Sequence, residues 1–190
     1  MVRPSVADER RTQILEATLK TIAEHGLAKS SLDRIADTAG MSRGHIRHFV
    51  GNRDDLLVDT ARYLYLDGGD ELSVMPRDAS TLDDAMEYLF GGPFTKTTDE
   101  DVVILGLVEL SRTNERIASV LAESYENTRQ SLIRFLADRY PNASQERYDG
   151  AASSILTAAM GNVFMNDFDR NTQRSAQVRH GIELMLATLE

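Results

Sequence analysis

Residues 31–53, SLDRIADTAGMSRGHIRHFVGNR, decide the fold. Leu32, Ile35 and Ala36 keep the i, i+3, i+4 spacing that puts them on one side of a short helix. Ser30 and Ser31 both suit its N-cap, because a hydroxyl there accepts from the unpaired backbone N–H groups of the first turn. Ser30 also has Asp33 three residues on, a capping-box-like pattern. Gly40 falls where the helix end needs a left-handed residue, and Ser42 then caps a second helix. Helix, glycine turn, helix is the geometry that lays a second helix in a DNA major groove.

On that second helix Arg43, His45, Arg47 and His48 are basic or polar, whereas Ile46 and Val50, four apart, turn inward. Phe49 can pack, or lay its ring against a sugar. Asn52 caps the next helix. Arg53 follows in its first turn, where side-chain charge and helix N-terminus together suit a phosphate. The plainer alternative is a solvated basic face on a small three-helix unit.

Met1 to about Tyr65 resembles the DNA-binding domain of the TetR family of transcriptional regulators. The resemblance is carried by the first helix with its apolar stripe, HG at 25–26, SLDRIADTAGMS at 31–42, HFV at 48–50 and NRDDLL at 52–57. It implies an all-α chain. A three-helix helix-turn-helix head, 1–66 with its reading unit at about 31–50, is joined by a fourth helix to a helical ligand-binding and dimerisation domain at 67–190. It further implies double-stranded operator DNA as partner, a homodimer through about 144–189, and an unidentified small-molecule effector. Two residues depart from the family pattern. Arg47 stands where a phosphate-contacting tyrosine is frequent, and Val50 where phenylalanine is frequent.

From residue types and position, Arg43 and His45 are expected at base edges, with Gly44 between them. Ser31, Arg47, His48, Phe49, Asn52 and Arg53 are expected on sugar and phosphate, setting register. Candidate effector-lining residues are Met86, Phe90, Leu107, Tyr125, Met160 and Phe164, with Glu109 and Arg112 to orient a polar group; ordinary core and a surface ion pair are the duller accounts.

Bulk properties bound the rest. The 190 residues are enough for a buried core. No run approaches the roughly eighteen apolar residues of a membrane span, and MVRPSVADERR lacks the apolar core of a secretory signal. The chain has no cysteine, which excludes disulfides and thiolate metal sites and suits the expected cytoplasmic location. The Asn142-Ala143-Ser144 sequon is therefore assigned no role. Residues 1–66 hold ten basic and nine acidic side chains, which leaves eleven basic and twenty-one acidic for 67–190. The net charge of −9 thus sits in the C-terminal part. Across more than a Debye length of about 8 Å it is largely screened from the head.

Outward from the reading unit, residues 1–7 read as a loose arm whose Arg3, with Arg10 and Arg11, can approach DNA. A first helix is expected over Asp8–His25 with Ile14, Leu15, Leu19 and Ile22 inward. A fourth from Asn52 carries Leu56, Leu57, Ala61, Leu64 and Tyr65, and ends near Gly68-Gly69. Further helical stripes are Leu82/Met86/Leu89/Phe90, broken by Gly91-Gly92-Pro93, then Val103/Leu107/Leu110 after the acidic turn Asp99-Glu100-Asp101. A long stripe from Ile117 to Leu136 is ended by Pro141. Two last helices, about 144–167 and 172–189, are rich in small residues and in amphipathic spacing respectively.

No cofactor, metal or catalysis is expected. His45 and His48 lack a carboxylate partner. The run from Asp167 has Thr172 where a calcium loop turns on glycine, and Val178 where it needs glutamate. Gly150–Ser154 lacks the glycine pattern of a nucleophile elbow. The competing classes are a helical protein–protein adaptor without DNA binding and an enzyme using a body cavity.

Overall fold

The computed structural model describes residues 5–66, 70–91, 94, 99–166, 168–169 and 171–189, with backbone alone at 99 and 100. Among them are nine α-helices and no strand, so the all-α expectation is borne out. Arg3, the glycine pair 68–69, Gly92-Pro93, Asp167 and Arg170 lie outside the described residues. The chain divides into two compact units, Met1–Asp70 with Thr98–Ala122, and Glu71–Thr97 with Glu123–Glu190.

In the first unit, α1 spans Val6–His25 and starts two residues before the expected Asp8. The reason is local: the Ser5 hydroxyl accepts from the Asp8 N–H at 3.2 Å, and the Asp8 carboxylate accepts from Ser5 in return. Those bonds hold the Asp8 carboxyl below its ordinary range. After a 3-10 turn at Leu27–Lys29 come α2 (Leu32–Ala39), α3 (Arg43–Val50) and α4 (Arg53–Leu66). Ile14, Leu15, Ile35, Ala36, Ile46, Val50 and Leu56 form one buried cluster, so α1 to α4 are fixed by shared side chains. Two threonines of α1 lie inside without cost in unpaired groups. Thr18 donates to the Ile14 carbonyl, and Thr21 to that of Ala17.

Helix α6 (Asp99–Ser111) packs on α1 and on the Leu27–Lys29 turn, where a Cβ at Gly106 would stand 3.1 Å from that of Leu27. Any larger residue there would push the turn away. Asn114 caps α7 (Glu115–Arg139) by accepting from Arg116 and Ile117, and Arg116 pairs with Asp55 of α4 at 2.6 Å. The Arg116 guanidinium, with the Asn52 N–H second, holds the Asp55 carboxyl below its usual range. The boundary between the units falls inside α7.

In the second unit, α5 (Leu82–Met86) is capped by Thr81 with Asp84 and continues as a π-helical turn to Gly91. It packs with the remainder of α7, with α8 (Gln145–Met165) and with α9 (Arg174–Leu186), which ends in a 3-10 turn at Ala187–Leu189. Leu82, Met86, Leu89, Phe90, Leu132, Leu136, Ala152, Ile155, Ile182 and Leu186 make its core. The segment before α5 is tied down by the Val74 N–H donating to Thr128 Oγ1 at 2.9 Å. Buried Arg174 starts α9 by donating to Asn162 of α8 and pairing with Asp169 at 2.6 Å.

Candidate nucleic-acid interface

The reading unit is built by its turn. Gly40 is left-handed at φ 65°, ψ 32°, its N–H donates to Asp37 O at 3.2 Å, and the Met41 N–H to Ala36 O at 2.9 Å. This pair of bonds is a Schellman closure, and it satisfies carbonyls that the end of α2 would leave open. Ser42 then accepts from the His45 N–H at 3.2 Å and starts α3. Of the two candidate caps for α2, Ser31 is the one used: its hydroxyl accepts from the Arg34 N–H. Ser30 does not cap. It is fully buried and donates back to Gly26 O at 2.9 Å. Asp33, freed from the expected capping box, pairs instead with Arg43 at 3.1 Å.

Helix α3 is anchored from below by Ile46 and Val50, 0% and 4% exposed. The opposite face presents Arg43, Gly44, His45, Arg47 and His48, all exposed. Phe49 is partly buried on the head cluster, its ring tilted against that of His45 with centroids 5.1 Å apart and edge-on to that of His48 at 5.2 Å. At Gly44 an added Cβ would meet nothing within 4 Å. Asn52 caps α4 by accepting from Asp54 and Asp55. Arg53 is turned inward: Nε donates to Ser30 O at 2.9 Å and Nη2 to Leu27 O at 2.7 Å. Its guanidinium thus pins the segment between α1 and α2 to the start of α4.

The structure therefore gathers Arg43, Gly44, His45, Arg47 and His48 on one surface, sets Ser31 and Asn52 as caps at helix N-termini, and commits Arg53 to backbone carbonyls. Arg10 and Arg11 are likewise engaged, with Gln13 and with Asp59. The Arg43–Asp33 and Arg116–Asp55 pairs carry no sequence signal, because each joins residues on different helices.

The candidate effector residues are more dispersed. Met86 and Phe90 lie in the second unit's core, Tyr125 packs against it, and the Tyr125 hydroxyl donates to Met160 Sδ at 3.3 Å. Leu107 is buried in the first unit, while Glu109 and Arg112 are exposed. Phe164 is 58% exposed and lies edge-on to Phe168. A groove of about 250 Å³ in the second unit is lined by other residues, among them Thr81, Asp83, Phe135, Asp138 and Arg139. Among the described residues no group of three or more His, Asp and Glu is placed to hold a metal. No helix among them is long and apolar enough to cross a membrane.

Residues 14–60 match the model of the bacterial regulatory proteins of the tetR family. They are a TetR-family head. The stretch runs from the middle of α1 into α4 and contains the whole helix-turn-helix. The HTH-type transcriptional regulator BetI 1 of Chromohalobacter salexigens is 40% identical over 80 residues, 42% of this chain and 39% of that protein. The chain thus matches about two fifths of the relative's length. A TetR transcription regulator of Haloarcula marismortui superposes with a TM-score of 0.74 at 18% identity, covering 95% of this chain and 98% of that one. A transcriptional regulator of Rhodococcus superposes at 0.70 and 17% identity over 94% and 95%. The whole chain accordingly has the fold of these regulators, and its sequence likeness is concentrated in the TetR-family head.

Proposed function

We propose that this protein is a sequence-specific DNA-binding transcriptional regulator and not an enzyme. In this reading it acts as a cytoplasmic homodimer that represses until a small-molecule effector releases it. The observation that carries the reading is the exposed basic face of α3, seated by Ile46 and Val50 on the core of a TetR-family head. Arg43 and His45, near the helix start, read base edges, and Gly44 lets the backbone approach. Arg47, His48 and Phe49 contact sugar and phosphate, as do the N-termini of α2 and α4 at Ser31 and Asn52. Arg53 supports those contacts by holding the Leu27 and Ser30 carbonyls.

Dimerisation is supported by the outer face of α8 and α9. Gly150, Ser153, Ser154, Thr157 and Gly161 form an exposed stripe of small residues, continued by Phe164, with exposed Gly181 and Leu184 on α9. Small side chains let helix axes approach closely, and clustered exposed apolar residues mark contact surfaces. Paired α3 helices then meet successive major grooves about 34–36 Å apart. Effector binding is assigned to the helical second unit around Met86, Phe90, Tyr125 and Met160, and by linkage operator must lower effector affinity by the factor the effector lowers operator affinity.

Selection of bound duplexes from random DNA tests the reading. An inverted repeat is expected; no enriched sequence and no salt-sensitive binding to any duplex would end it.

A further inference from the structure

Arg43 meets Asp33 through a single nitrogen: Nη1 lies 3.1 Å from Oδ2 and 3.3 Å from Oδ1. The two side chains are 57% and 65% exposed, so the pair stands at the surface on which α3 presents its cations. Asp33 belongs to the first turn of α2 and Arg43 opens α3, so the ion pair spans the two helices on either side of the Gly40 turn. With Nη1 tied down, the Nε and Nη2 edge remains, and two N–H groups side by side are what a guanine O6/N7 edge accepts.

We propose that Asp33 is a specificity-determining positioning residue, one that turns Arg43 toward neutral base edges and away from phosphate. This rests on the DNA-binding reading above. A phosphate drawn to Arg43 brings its own negative charge up against the Asp33 carboxylate, and like charges at that distance repel. A guanine edge carries no net charge and meets no such opposition. Sequence-independent affinity comes from phosphates and is read in the salt dependence, by about 0.9 in log–log slope for each phosphate neutralised. Asp33 therefore suppresses the part of Arg43's affinity that is blind to sequence. An exposed ion pair adds little to stability, so the device leaves the fold nearly untouched.

The test compares wild type, D33N, R43A and the D33N/R43A double variant on the selected operator and on a scrambled duplex across a salt series. D33N is expected to bind the scrambled duplex several-fold more tightly, with a slope steeper by about 0.9 per protomer, about 1.8 for the dimer, and to lose about tenfold in operator preference. D33E should restore wild-type behaviour. On the R43A background, D33N should change neither slope nor preference. Thermal unfolding checks that each head is folded, and D33S replaces D33N should the latter unfold. An unchanged preference in D33N overturns the proposal, as does an equal change with and without Arg43, because Asp33 would then act on phosphates directly. If wild type distinguishes the operator and D33N does so equally well, this inference alone fails. If wild type prefers no duplex, the DNA-binding reading fails and takes the inference with it.

Discussion

Helices α3 and α8 share a backbone feature and differ in what surrounds it. Gly44 in α3 and Gly150 and Gly161 in α8 are helical glycines at which an added Cβ would meet nothing within 4 Å. Glycine inside a helix costs about 0.5–1 kcal/mol relative to alanine, and no neighbour among the described residues fills the space at these positions. Around Gly44 stand Arg43, His45, Arg47 and His48; around the other two stand Ser153, Ser154, Thr157 and Phe164. The same closeness of approach is thus offered on a cationic face and on a small, uncharged one. The first suits a polyanion and the second suits another helix.

The sharpest way to break this contrast is to place a charge on the uncharged face. In the proposed dimer the Ser154→Arg guanidinium would be buried unpaired at the interface, and leaving a buried charge without a partner costs roughly 3–5 kcal/mol. Sedimentation equilibrium should show dissociation at concentrations where wild type is dimeric, with operator affinity falling alongside. A Ser154→Arg protein that associates and binds as wild type does would make the α8 face ordinary solvent surface.

Arg53→Ala separates support from contact on the other face. The Leu27 and Ser30 carbonyls each lose a charged donor, so denaturant unfolding should show a loss of about 1–3 kcal/mol. Arg53→Lys, able to reach one carbonyl, should recover part of it. Unchanged stability together with a salt slope flattened by about one phosphate per protomer would make Arg53 a DNA ligand instead.

Gly44→Ala should do the opposite of most substitutions. Helix propensity predicts a gain of about 0.5–1 kcal/mol in stability, while the methyl group would stand on the face proposed to meet the duplex. Operator affinity should fall about tenfold, or about 1.4 kcal/mol. Thermal unfolding and binding titrations on the same preparation check both halves. A stabilised protein with unaltered affinity would show that Gly44 is not near the bound duplex.

These contrasts were unequally legible in the sequence. The turn at Gly40, the cap at Ser42 and the inward pair Ile46/Val50 are local, set by residues within one helical turn of each other, and periodicity finds them. The all-α class followed from the same periodicity repeated along the chain. The choice between Ser30 and Ser31 was not legible, because it depends on Ser30 being buried against Gly26, nor was the release of Asp33 to Arg43. Arg53 illustrates the same limit: its position in a first turn suggests an anion, but the two carbonyls it holds lie more than twenty residues back in the chain. The packing of α6 against α1 through Gly106 and Leu27 has no local signature at all. Effector residues were the least accessible, since a core residue and a cavity wall have the same apolar spacing.

The smallest expected effect concerns acid. Glu126 accepts from Arg129 and Gln130, and the Arg129 guanidinium above all lowers its carboxyl from the ordinary 4.5 to about 2. A carboxyl with a folded pKa below its unfolded one stabilises the fold fully above the unfolded value, and the contribution disappears as pH falls through the folded one. The window is therefore about pH 4.5 down to about 2. Arg129 also bonds Asp149 of α8 at 2.8 Å, so the same protonation loosens one end of a bridge between α7 and α8. Asp55 in the first unit is lowered by Arg116 in the same sense. Glu126 is exposed and Asp149 and Asp55 are partly so, and high salt should therefore shrink the effect. Glu126→Gln should lower the urea midpoint slightly at neutral pH and not at all once Glu126 itself is protonated. Equal loss at both ends of that range would mean that the side chain contributes by packing and not by its charge.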